Sequence, residues 1–322
     1  MALRKIGITL GDPGGIGPEI VLKALAGDYD LPEASYVLFG SARVLWEEER
    51  TLGFRFDFDS LTTGPAERPG RLSFHEISGS LKAVRKGAPS AKNGLESFLY
   101  FKTAVAEARE GRLQALVTAP ISKSSWALAG VPWKGHTDYL SHLYRGATMA
   151  FWSEKLKVAL LSHHVSLREA LKKIKQEILL DYFISLDRSL KKAGPGKAVF
   201  LVAGLNPHAG EDGLLGREET EEISPAVKEA RRQGIKINGP YPPDVVFRSA
   251  LGKPGTIVIA LYHDQGLIPF KLAAFETGVN VTLGLPFVRT SPDHGTAFDI
   301  AGQNRADPRS LVEAIKLAAA LC

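Results

Sequence analysis

Cysteine is almost absent from this chain of 322 residues, and its only cysteine is Cys322. A single thiol excludes an intramolecular disulfide, which fits a reducing compartment. The chain also lacks any apolar run of about 18 residues, the length that a membrane-spanning helix requires. Its first five residues lead straight into a predicted strand, without the features of a signal peptide. We therefore expect a cytoplasmic protein with no membrane contact.

An excess of charge of one sign is lacking as well. The chain has 40 Lys and Arg residues and 35 Asp and Glu residues, so its net charge is only +5. Its denser basic runs, at 172–175 and 231–232, lie in helical patterns and are expected to be solvated helix faces. A nucleic-acid-binding module would add interleaved aromatic residues or a known motif. The sequence has neither, so we expect a small-molecule partner and no nucleic acid.

The usual dinucleotide-binding fingerprint is also missing. The segment "GDPGGIGPEI" (11–20) follows an apolar run and has the pattern of a strand, a turn and a helix. The fingerprint needs glycine at positions i, i+2 and i+5. Gly15 and Gly17 supply the first two, but Ile20 occupies the third. From these residues alone, a structural turn and a ligand-binding loop both stay open.

Short apolar runs alternate with longer amphipathic ones, which is typical of an α/β protein with a largely parallel sheet. The predicted strands are 6–10, 36–39, 72–75, 115–118, 157–162, 199–203 and 256–261. The predicted helices are 18–26, 42–51, 95–109, 167–174, 177–192, 218–232 and 308–321. Polar segments such as "TAPISK", "GLNPHAGEDG" and "YHDQG" follow several strands. Ligands of such sheets bind at the carboxyl ends of strands, so we expect the site there.

Three of the eight histidines each follow a predicted strand, in polar or glycine-rich segments: His164, His208 and His263. Three imidazoles from three strand ends could hold one divalent cation and leave positions open for a substrate. Imidazole ligands suit Zn, Co or Ni better than Ca. Residue type alone does not separate His164 from the adjacent His163. Asp264 is a candidate to orient His263 or to act as a base.

A second group of residues indicates an anion site. His136 and Thr137 stand where a helix is predicted to begin, and a helix N-terminus with a hydroxyl and an imidazole could hold a phosphate or carboxylate. An ordinary threonine cap is the alternative. Lys271, Asn280 and Arg289 lie along the largely apolar sequence at 270–291. Cations in such surroundings need an anionic partner, either Glu276 or a phosphorylated substrate.

The segment "RTSPDHGTAFDIAGQNRADP" (289–308) resembles the adenosine-binding loop of the β-decarboxylating dehydrogenases, the isocitrate and isopropylmalate enzymes. "GDPGGIGPEI" is similar to the Gly-Asp-Gly-Ile-Gly-Pro-Glu start of the same enzymes. They bind a dinucleotide without the usual fingerprint, which accounts for its absence here. The resemblance implies cofactor contacts from His294, Gly295, Thr296, Ala297, Asp299 and Ile300.

Asp299 bears on the choice of cofactor. Relatives that use the phosphorylated cofactor have Lys and Tyr where this chain has Asp299 and Ile300. A carboxylate accepts hydrogen bonds from a ribose 2′-hydroxyl and repels a 2′-phosphate. We therefore predict NAD, with NADP as the less favoured cofactor. The competing interpretation is that Asp299 only caps a short helix.

A closer resemblance, to the 4-hydroxythreonine-4-phosphate dehydrogenase family, covers almost the whole chain. It is carried by "GDPGGIGPE", "TAPISK", "GHTDYL", "GLNPHAGEDG", "GPYPPD", "YHDQG" and "GVNVTLGLPFVRTSPDHGTAFDIAG". It implies a two-subdomain α/β/α fold like that of isocitrate and isopropylmalate dehydrogenases, with an interdomain cleft. The implied cofactor-binding subdomain is 1–123 with 265–322, and 124–264 is the metal, substrate and dimerisation subdomain.

The same resemblance implies the site. The three histidines would bind a divalent metal (Zn, Co or Mg), and the pattern His-x-Pro-Leu selects His164 over His163, although Ser166 replaces the proline. Substrate contacts would come from His136, Thr137, Lys271, Asn280 and Arg289. Lys271 and Asp244 are the candidate general bases. A homodimer with a shared active site is implied as well.

The implied reaction is oxidation of 4-phosphohydroxy-L-threonine at C3 by NAD, followed by decarboxylation to 3-amino-2-oxopropyl phosphate in pyridoxal phosphate (vitamin B6) biosynthesis. Two alternatives stay open. A paralogue would oxidise another phosphorylated hydroxy acid, such as 4-phosphoerythronate or a threonate phosphate. A non-redox, metal-dependent hydrolase would use the same histidines and cations, but it would have no use for an adenosine-binding loop.

Overall fold

The computed structural model describes residues 3–53, 72–77, 84–144, 146–192 and 198–322. Helices and strands alternate along most of this sequence, which confirms the α/β class. The chain forms two compact units. Unit 1 comprises Met1–Leu143 and Pro286–Cys322, and unit 2 comprises Tyr144–Leu285. The predicted functional subdomains, divided at 124 and 264, stay a prediction.

The described part of the chain contains eleven strands and eleven α-helices. The strands are β1 (Lys5–Thr9), β2 (Ser35–Gly40), β3 (Leu72–Glu76), β4 (Ala115–Thr118), β5 (Thr148–Trp152), β6 (Lys157–Leu160), β7 (Val199–Ala203), β8 (Ile237–Tyr241), β9 (Thr256–Ala260), β10 (Val279–Leu283) and β11 (Val288–Pro292). The helices are α1 (Gly17–Ala26), α2 (Ala42–Leu52), α3 (Ala91–Arg109), α4 (Lys123–Leu128), α5 (His136–Leu143), α6 (Leu167–Leu171), α7 (Gln176–Lys192), α8 (Ser224–Arg232), α9 (Pro243–Ala250), α10 (His263–Ala274) and α11 (Arg309–Leu321).

Unit 1 contains a parallel run of strands in the order β3-β2-β1-β4-β11. The side chains of Ile6, Ile8 and Leu10 are completely buried at its centre, as expected for a strand that is covered on both faces. Helix α1 follows β1 with Pro18 in its first turn, where a missing N–H has no cost. The loop between them therefore lies at the carboxyl ends of the strands.

Unit 2 contains strands in the order β10-β5-β6-β9-β7-β8. Strands β6, β9, β7 and β8 are parallel, whereas β5 is antiparallel to both β6 and β10. Helix α10 packs tightly on this sheet at Gly266. A Cβ atom there would lie 2.7 Å from Leu160 Cδ2 and 2.8 Å from Val158 Cγ1, so only glycine allows this approach. The close packing fixes the start of α10, which is His263.

All seven predicted strands are present, as β1 to β4, β6, β7 and β9, with bounds within two residues of the prediction, and the predicted helix start at His136 is confirmed. The last helix begins at Arg309, one residue later than predicted. Its N-cap is Pro308, and the preceding residue, Asp307, accepts a hydrogen bond from the Arg309 N–H at 2.9 Å through its Oδ1. In the described part of the chain, no helix combines the length and the apolar character that crossing a bilayer requires.

Candidate functional site

Two motifs that are almost 300 residues apart in the sequence lie against each other in unit 1. The Ile16 N–H, in the glycine-rich loop after β1, donates to the Thr296 carbonyl at 3.0 Å. A Cβ atom on Gly15 would lie 2.8 Å from the Cβ and the carbonyl oxygen of Thr296. Gly15 is therefore required by the close approach of the 294–306 loop. The two motifs thus pack directly against each other.

Helix α1 holds the far end of the same loop. Glu19 is completely buried and accepts a hydrogen bond from the Ala306 N–H at 2.8 Å. Lys23, one turn further along the helix, donates to Glu19 Oε1 at 2.7 Å and to the Ala306 carbonyl at 3.0 Å. Both backbone polar groups of Ala306 are therefore fixed by one ion pair.

The predicted cofactor residues lie between these two contacts. His294, Gly295 and Asp299 are exposed, whereas Thr296, Ala297 and Ile300 are half-buried. Asp299 lies in a turn that extends from 298 to 304, and its carbonyl accepts from Gln303 Nε2 at 2.7 Å. Asp299 therefore caps no helix, and its carboxylate is exposed. The cofactor contacts themselves stay a prediction.

A buried cation lies at the carboxyl end of β4. Arg289, on the neighbouring strand β11, is 2% exposed, and its Nε and Nη2 donate to Thr118 Oγ1 at 3.1 and 2.6 Å. Its Nη2 also lies 3.1 Å from His136 Nδ1. Burial lowers the pKa of Arg289 to about 9, so the guanidinium remains charged at neutral pH. It is a fixed positive charge beside the first residue of α5.

The environment of His136 keeps its imidazole neutral. Its ring centroid is 4.3 Å from that of Phe101 and 5.6 Å from that of Trp126. Burial, and secondarily the charge of Arg289, holds the pKa of His136 well below its usual range. Since Nδ1 accepts from Arg289, the single proton lies on Nε2, which is buried and has no hydrogen-bond partner among the described residues. An oxygen of an anionic ligand would satisfy this donor. Thr137, the next residue of α5, is half-buried.

Unit 2 brings two of the predicted metal ligands together. His164 follows β6 and His263 begins α10, and their ring centroids are 5.7 Å apart. His263 Nδ1 lies 2.6 Å from Asp264 Oδ1, which leaves Nε2 as the nitrogen available to a metal. His163 packs edge-on against His164 at 5.4 Å, and burial lowers its pKa to about 4. Within the described part of this chain, no group of three or more His, Cys, Asp or Glu residues is arranged to hold a metal ion.

The third predicted ligand, His208, lies in an unusual backbone segment. The residues from His208 to Asp212 have φ values of 54, 55, 82, 43 and 55°, and Gly213 has a φ of 96°. This is a left-handed turn in which four residues are not glycine. The left-handed conformation costs about 1–2 kcal/mol for each such residue. Its contacts with the rest of unit 2 must offset that strain.

The other predicted site residues of unit 2 are separate in sequence and environment. Lys271 is half-buried on α10, two turns after His263. Asn280 lies on β10, and its Oδ1 is buried and lacks a hydrogen-bond partner in the part of the chain that is described. Asp244 is exposed in the first turn of α9. Their roles as base or substrate contact stay predictions.

Sequence reasoning missed Thr118 and Glu219 as parts of these clusters. Thr118 could have been noticed, because it ends a predicted strand and begins "TAPISK". Its partner Arg289 is 171 residues away, which no local pattern reveals. Glu219 is 2% exposed and accepts hydrogen bonds in the loop that carries His208. It lies in a run of glutamates with nothing in the sequence to distinguish it.

Comparisons with known proteins agree on one family. Residues 33–318 match the family described as Pyridoxal phosphate biosynthetic protein PdxA. The chain is 40% identical to a 4-hydroxythreonine-4-phosphate dehydrogenase of Aquifex aeolicus, over 98% of this chain and 97% of that one. It is also 40% identical to a D-threonate 4-phosphate dehydrogenase of Salmonella typhimurium, over 99% of both chains. A crystal structure of 4-hydroxythreonine-4-phosphate dehydrogenase from Klebsiella pneumoniae matches with a TM-score of 0.87 at 39% identity, covering 98% of both chains.

Proposed function

Because this chain belongs to the Pyridoxal phosphate biosynthetic protein PdxA family, we propose that it oxidises 4-phosphohydroxy-L-threonine at C3 with NAD. The β-keto acid that results loses carbon dioxide and gives 3-amino-2-oxopropyl phosphate, a step in pyridoxal phosphate biosynthesis. Relatives that match nearly the whole chain are named dehydrogenases. This favours a dehydrogenase over the metal-dependent hydrolase considered from the residues.

The observation that carries this proposal is the buried N–H of His136 beside the Arg289 guanidinium. A buried donor that lacks a partner destabilises a protein, typically by about 1–3 kcal/mol. A ligand oxygen that accepts this hydrogen bond would remove that cost, and the charge of Arg289 at the other nitrogen of the ring would favour an anion in this position. The phosphate and the carboxylate of the substrate both have this chemistry. We propose that one of them occupies this position, with Thr137, Lys271 and Asn280 as further contacts.

The histidine pair fits a divalent metal. The imidazoles of His164 and His263 lie close together. The Asp264 carboxylate orients His263 through a hydrogen bond to Nδ1, as residues that hydrogen-bond to metal-ligating histidines commonly do. With His208 as third ligand, a bound Zn, Co or Mg ion would stabilise negative charge on a substrate oxygen. The base that takes the C3 hydroxyl proton would be Lys271 or Asp244. A pH profile of kcat for K271M and D244N distinguishes the two, since only loss of the base removes its ionisation from the profile.

The cofactor proposal depends on the contact between the glycine-rich loop and the 294–306 loop. The Asp299 carboxylate is exposed on the turn and is available to a ribose hydroxyl. We propose NAD as the cofactor, with NADP used less well, because a carboxylate repels a 2′-phosphate. We also propose a cytoplasmic location, because a chain with a single cysteine forms no intramolecular disulfide and suits a reducing compartment.

A homodimer is proposed from an exposed apolar stripe on α10. Ile268, Leu272 and Phe275 are 61%, 85% and 77% exposed, and their spacing places them on one side of the helix. Such a stripe on the helix that begins with His263 is expected to be covered by a second copy. Sedimentation should give a dimer for the wild type and a monomer for L272E. An active wild-type monomer would contradict the proposal.

Complementation tests whether the two chains share the metal site. H164A and H208A proteins, each inactive, would be unfolded together and refolded as a mixture. If His164 and His208 of one site come from different chains, each hybrid dimer regains one intact site. Half of the dimers are hybrids, so activity should return to about one quarter of the wild type. No recovery would mean that both ligands come from the same chain. H164A refolded alone is the control.

The substrate has one specific competitor, because a relative named D-threonate 4-phosphate dehydrogenase is as similar as the first one. The two substrates differ at C2, where one carries an amine and the other a hydroxyl. NADH formation should be measured with 4-phosphohydroxy-L-threonine, D-threonate 4-phosphate and 4-phosphoerythronate. The first should give the highest kcat/KM. A higher value for either hydroxy acid assigns the chain to a paralogous branch, and no NADH with any of them contradicts the function.

A further inference from the structure

The left-handed turn at 208–213 needs an external support. In a left-handed helix each Cβ atom approaches the following carbonyl oxygen, so L-residues adopt this conformation singly and rarely in runs. Here His208, Ala209, Glu211 and Asp212 all adopt it in sequence. Strained backbone persists only where the surroundings determine it. The contacts around the turn therefore indicate what holds the backbone at His208.

The Glu219 carboxylate makes the contacts that lead into the turn. Its Oε1 accepts from the N–H groups of Leu205 and Asn206, both at 2.7 Å, and its Oε2 accepts from Asn206 Nδ2 at 2.8 Å. Three donors from two consecutive residues thus converge on one buried carboxylate. They fix the backbone two residues before His208.

The same carboxylate also lies against the turn itself. A Cβ atom on Gly210 would be 2.7 Å from Glu219 Oε2, and one on Gly204 would be 3.2 Å from Oε1. The backbone on both sides of His208 therefore packs on one group. Because Glu219 is 2% exposed and both of its oxygens accept from donors of the loop, this carboxylate serves the turn.

We propose that Glu219 is a positioning residue that holds the left-handed turn so that His208 is preorganised for metal binding. This inference rests on the proposed role of His208 as a ligand. Without the carboxylate, Leu205 and Asn206 would lose the acceptor that fixes them, and the turn would relax towards ordinary right-handed or extended backbone. The imidazole would then sample many directions, and binding a metal would have to order it.

The variant for the test is Glu219→Gln, which keeps the size of the side chain. Its amide nitrogen would face the donor Asn206 Nδ2, so at least one hydrogen bond is replaced by a contact between two donors. Glu221→Gln is the matched control, because Glu221 is exposed on the same segment and its carboxylate lies 3.7 Å from Arg217 Nη1, away from the loop. His208→Ala tests the ligand assignment separately.

Two measurements on the full-length, metal-free protein test whether Glu219 positions His208 for metal binding. Hydrogen–deuterium exchange of the peptide at 205–213 should become at least about tenfold faster in E219Q and stay unchanged in E221Q and H208A. Zinc affinity, measured by calorimetric titration, should fall on the order of 10- to 100-fold in E219Q, the loss typical of residues that orient metal ligands. Thermal unfolding of E219Q controls for a general loss of structure.

Each outcome has a distinct meaning. Wild-type exchange in E219Q would overturn the proposal, and so would faster exchange with unchanged zinc affinity, since Glu219 would then be only structural. If H208A binds zinc as tightly as the wild type, the ligand assignment in the proposed function fails, whatever the exchange shows. If E219Q does not fold, Asn206→Ala removes the hydrogen bonds from its Nδ2 to Glu219 and Glu218, leaves the two backbone donors in place, and is subject to the same criteria, with Glu218→Gln as the control for the second bond.

Discussion

Replacing Thr118 by valine removes one oxygen atom from the contact with Arg289 and leaves the shape of the side chain almost unchanged. The Thr118 hydroxyl is fully buried and accepts from Arg289 Nε and Nη2 at 3.1 and 2.6 Å. A hydrogen bond to a charged group contributes about 1.5–3 kcal/mol. Arg289 is 2% exposed, so water has little access to replace the lost oxygen, and the same burial lowers its pKa to about 9.

The expected loss can be separated into stability and activity. We expect T118V to lower the free energy of unfolding by about 2–4 kcal/mol, because two N–H groups of a cation lose their acceptor. We expect kcat/KM to fall roughly 10- to 100-fold, because a displaced guanidinium no longer orients the substrate anion. T118S retains the hydroxyl and loses one methyl group, which costs about 1 kcal/mol. Its kcat/KM should stay near that of the wild type.

Urea unfolding and initial rates of NADH formation measure the two quantities for wild type, T118V and T118S. Equal unfolding free energies and equal kcat/KM values for the two variants would refute the reasoning, since the hydroxyl would then contribute nothing that the valine methyl does not. A loss of stability with an intact kcat/KM would refute the functional half alone, and Arg289 would then be a structural cation.

The remaining predictions concern the cofactor, the histidines and pH. D299K should narrow or reverse the preference for NAD over NADP; an unchanged ratio of kcat/KM values for the two cofactors would mean that Asp299 does not contact the ribose. Alanine at any of the three predicted metal ligands should abolish turnover and weaken zinc binding, whereas H163A should be mild; an inactive H163A with an active H164A would reverse that assignment. Below pH 6.5 the unfolded chain binds a proton at His136 that the folded chain excludes, so the free energy of unfolding should fall by up to about 1.4 kcal/mol per pH unit. Denaturation of wild type and H136Q across this range should show that contribution only in the wild type.

The parts of the fold that were predictable have a strong local signal. Strands β1, β4 and β9 are short runs of apolar, mostly branched residues, and both faces of each are buried. Helix α10 was missed because its apolar residues surround the helix and Pro269 lies inside it, so no amphipathic period is visible. Strands β10 and β11 were missed because neither is an apolar run: β10 contains Asn280 and Thr282, and three of the five residues of β11 are Arg289, Thr290 and Ser291.

The same distinction applies to the candidate site: features with a local sequence signal were predictable, and contacts between distant residues were not. Polar residues after strands correctly indicated that His164 and His263 lie close together, since parallel strands bring their carboxyl ends to one edge. The left-handed backbone at His208 was not predictable, because "PHAGEDG" has the composition of an ordinary loop. The carboxylate of Glu219 and the hydroxyl of Thr118 act across 13 and 171 residues of sequence, and only the folded chain brings them to their partners.

The hydrogen bonds that link Glu19 and Lys23 to Ala306 join an early helix of unit 1 to a segment that is translated much later. Ala306 follows Glu19 by 287 positions, and β11, which pairs with β4, also comes late. Unit 2 is continuous and is complete on the ribosome before either of these segments has been translated. During that interval the edge of β4 has no partner, and an unpaired edge invites pairing between chains. Nascent chains that stop before residue 286 should therefore aggregate through the unpaired edge of β4 in unit 1. Chains that are translated to the end cover this edge with β11.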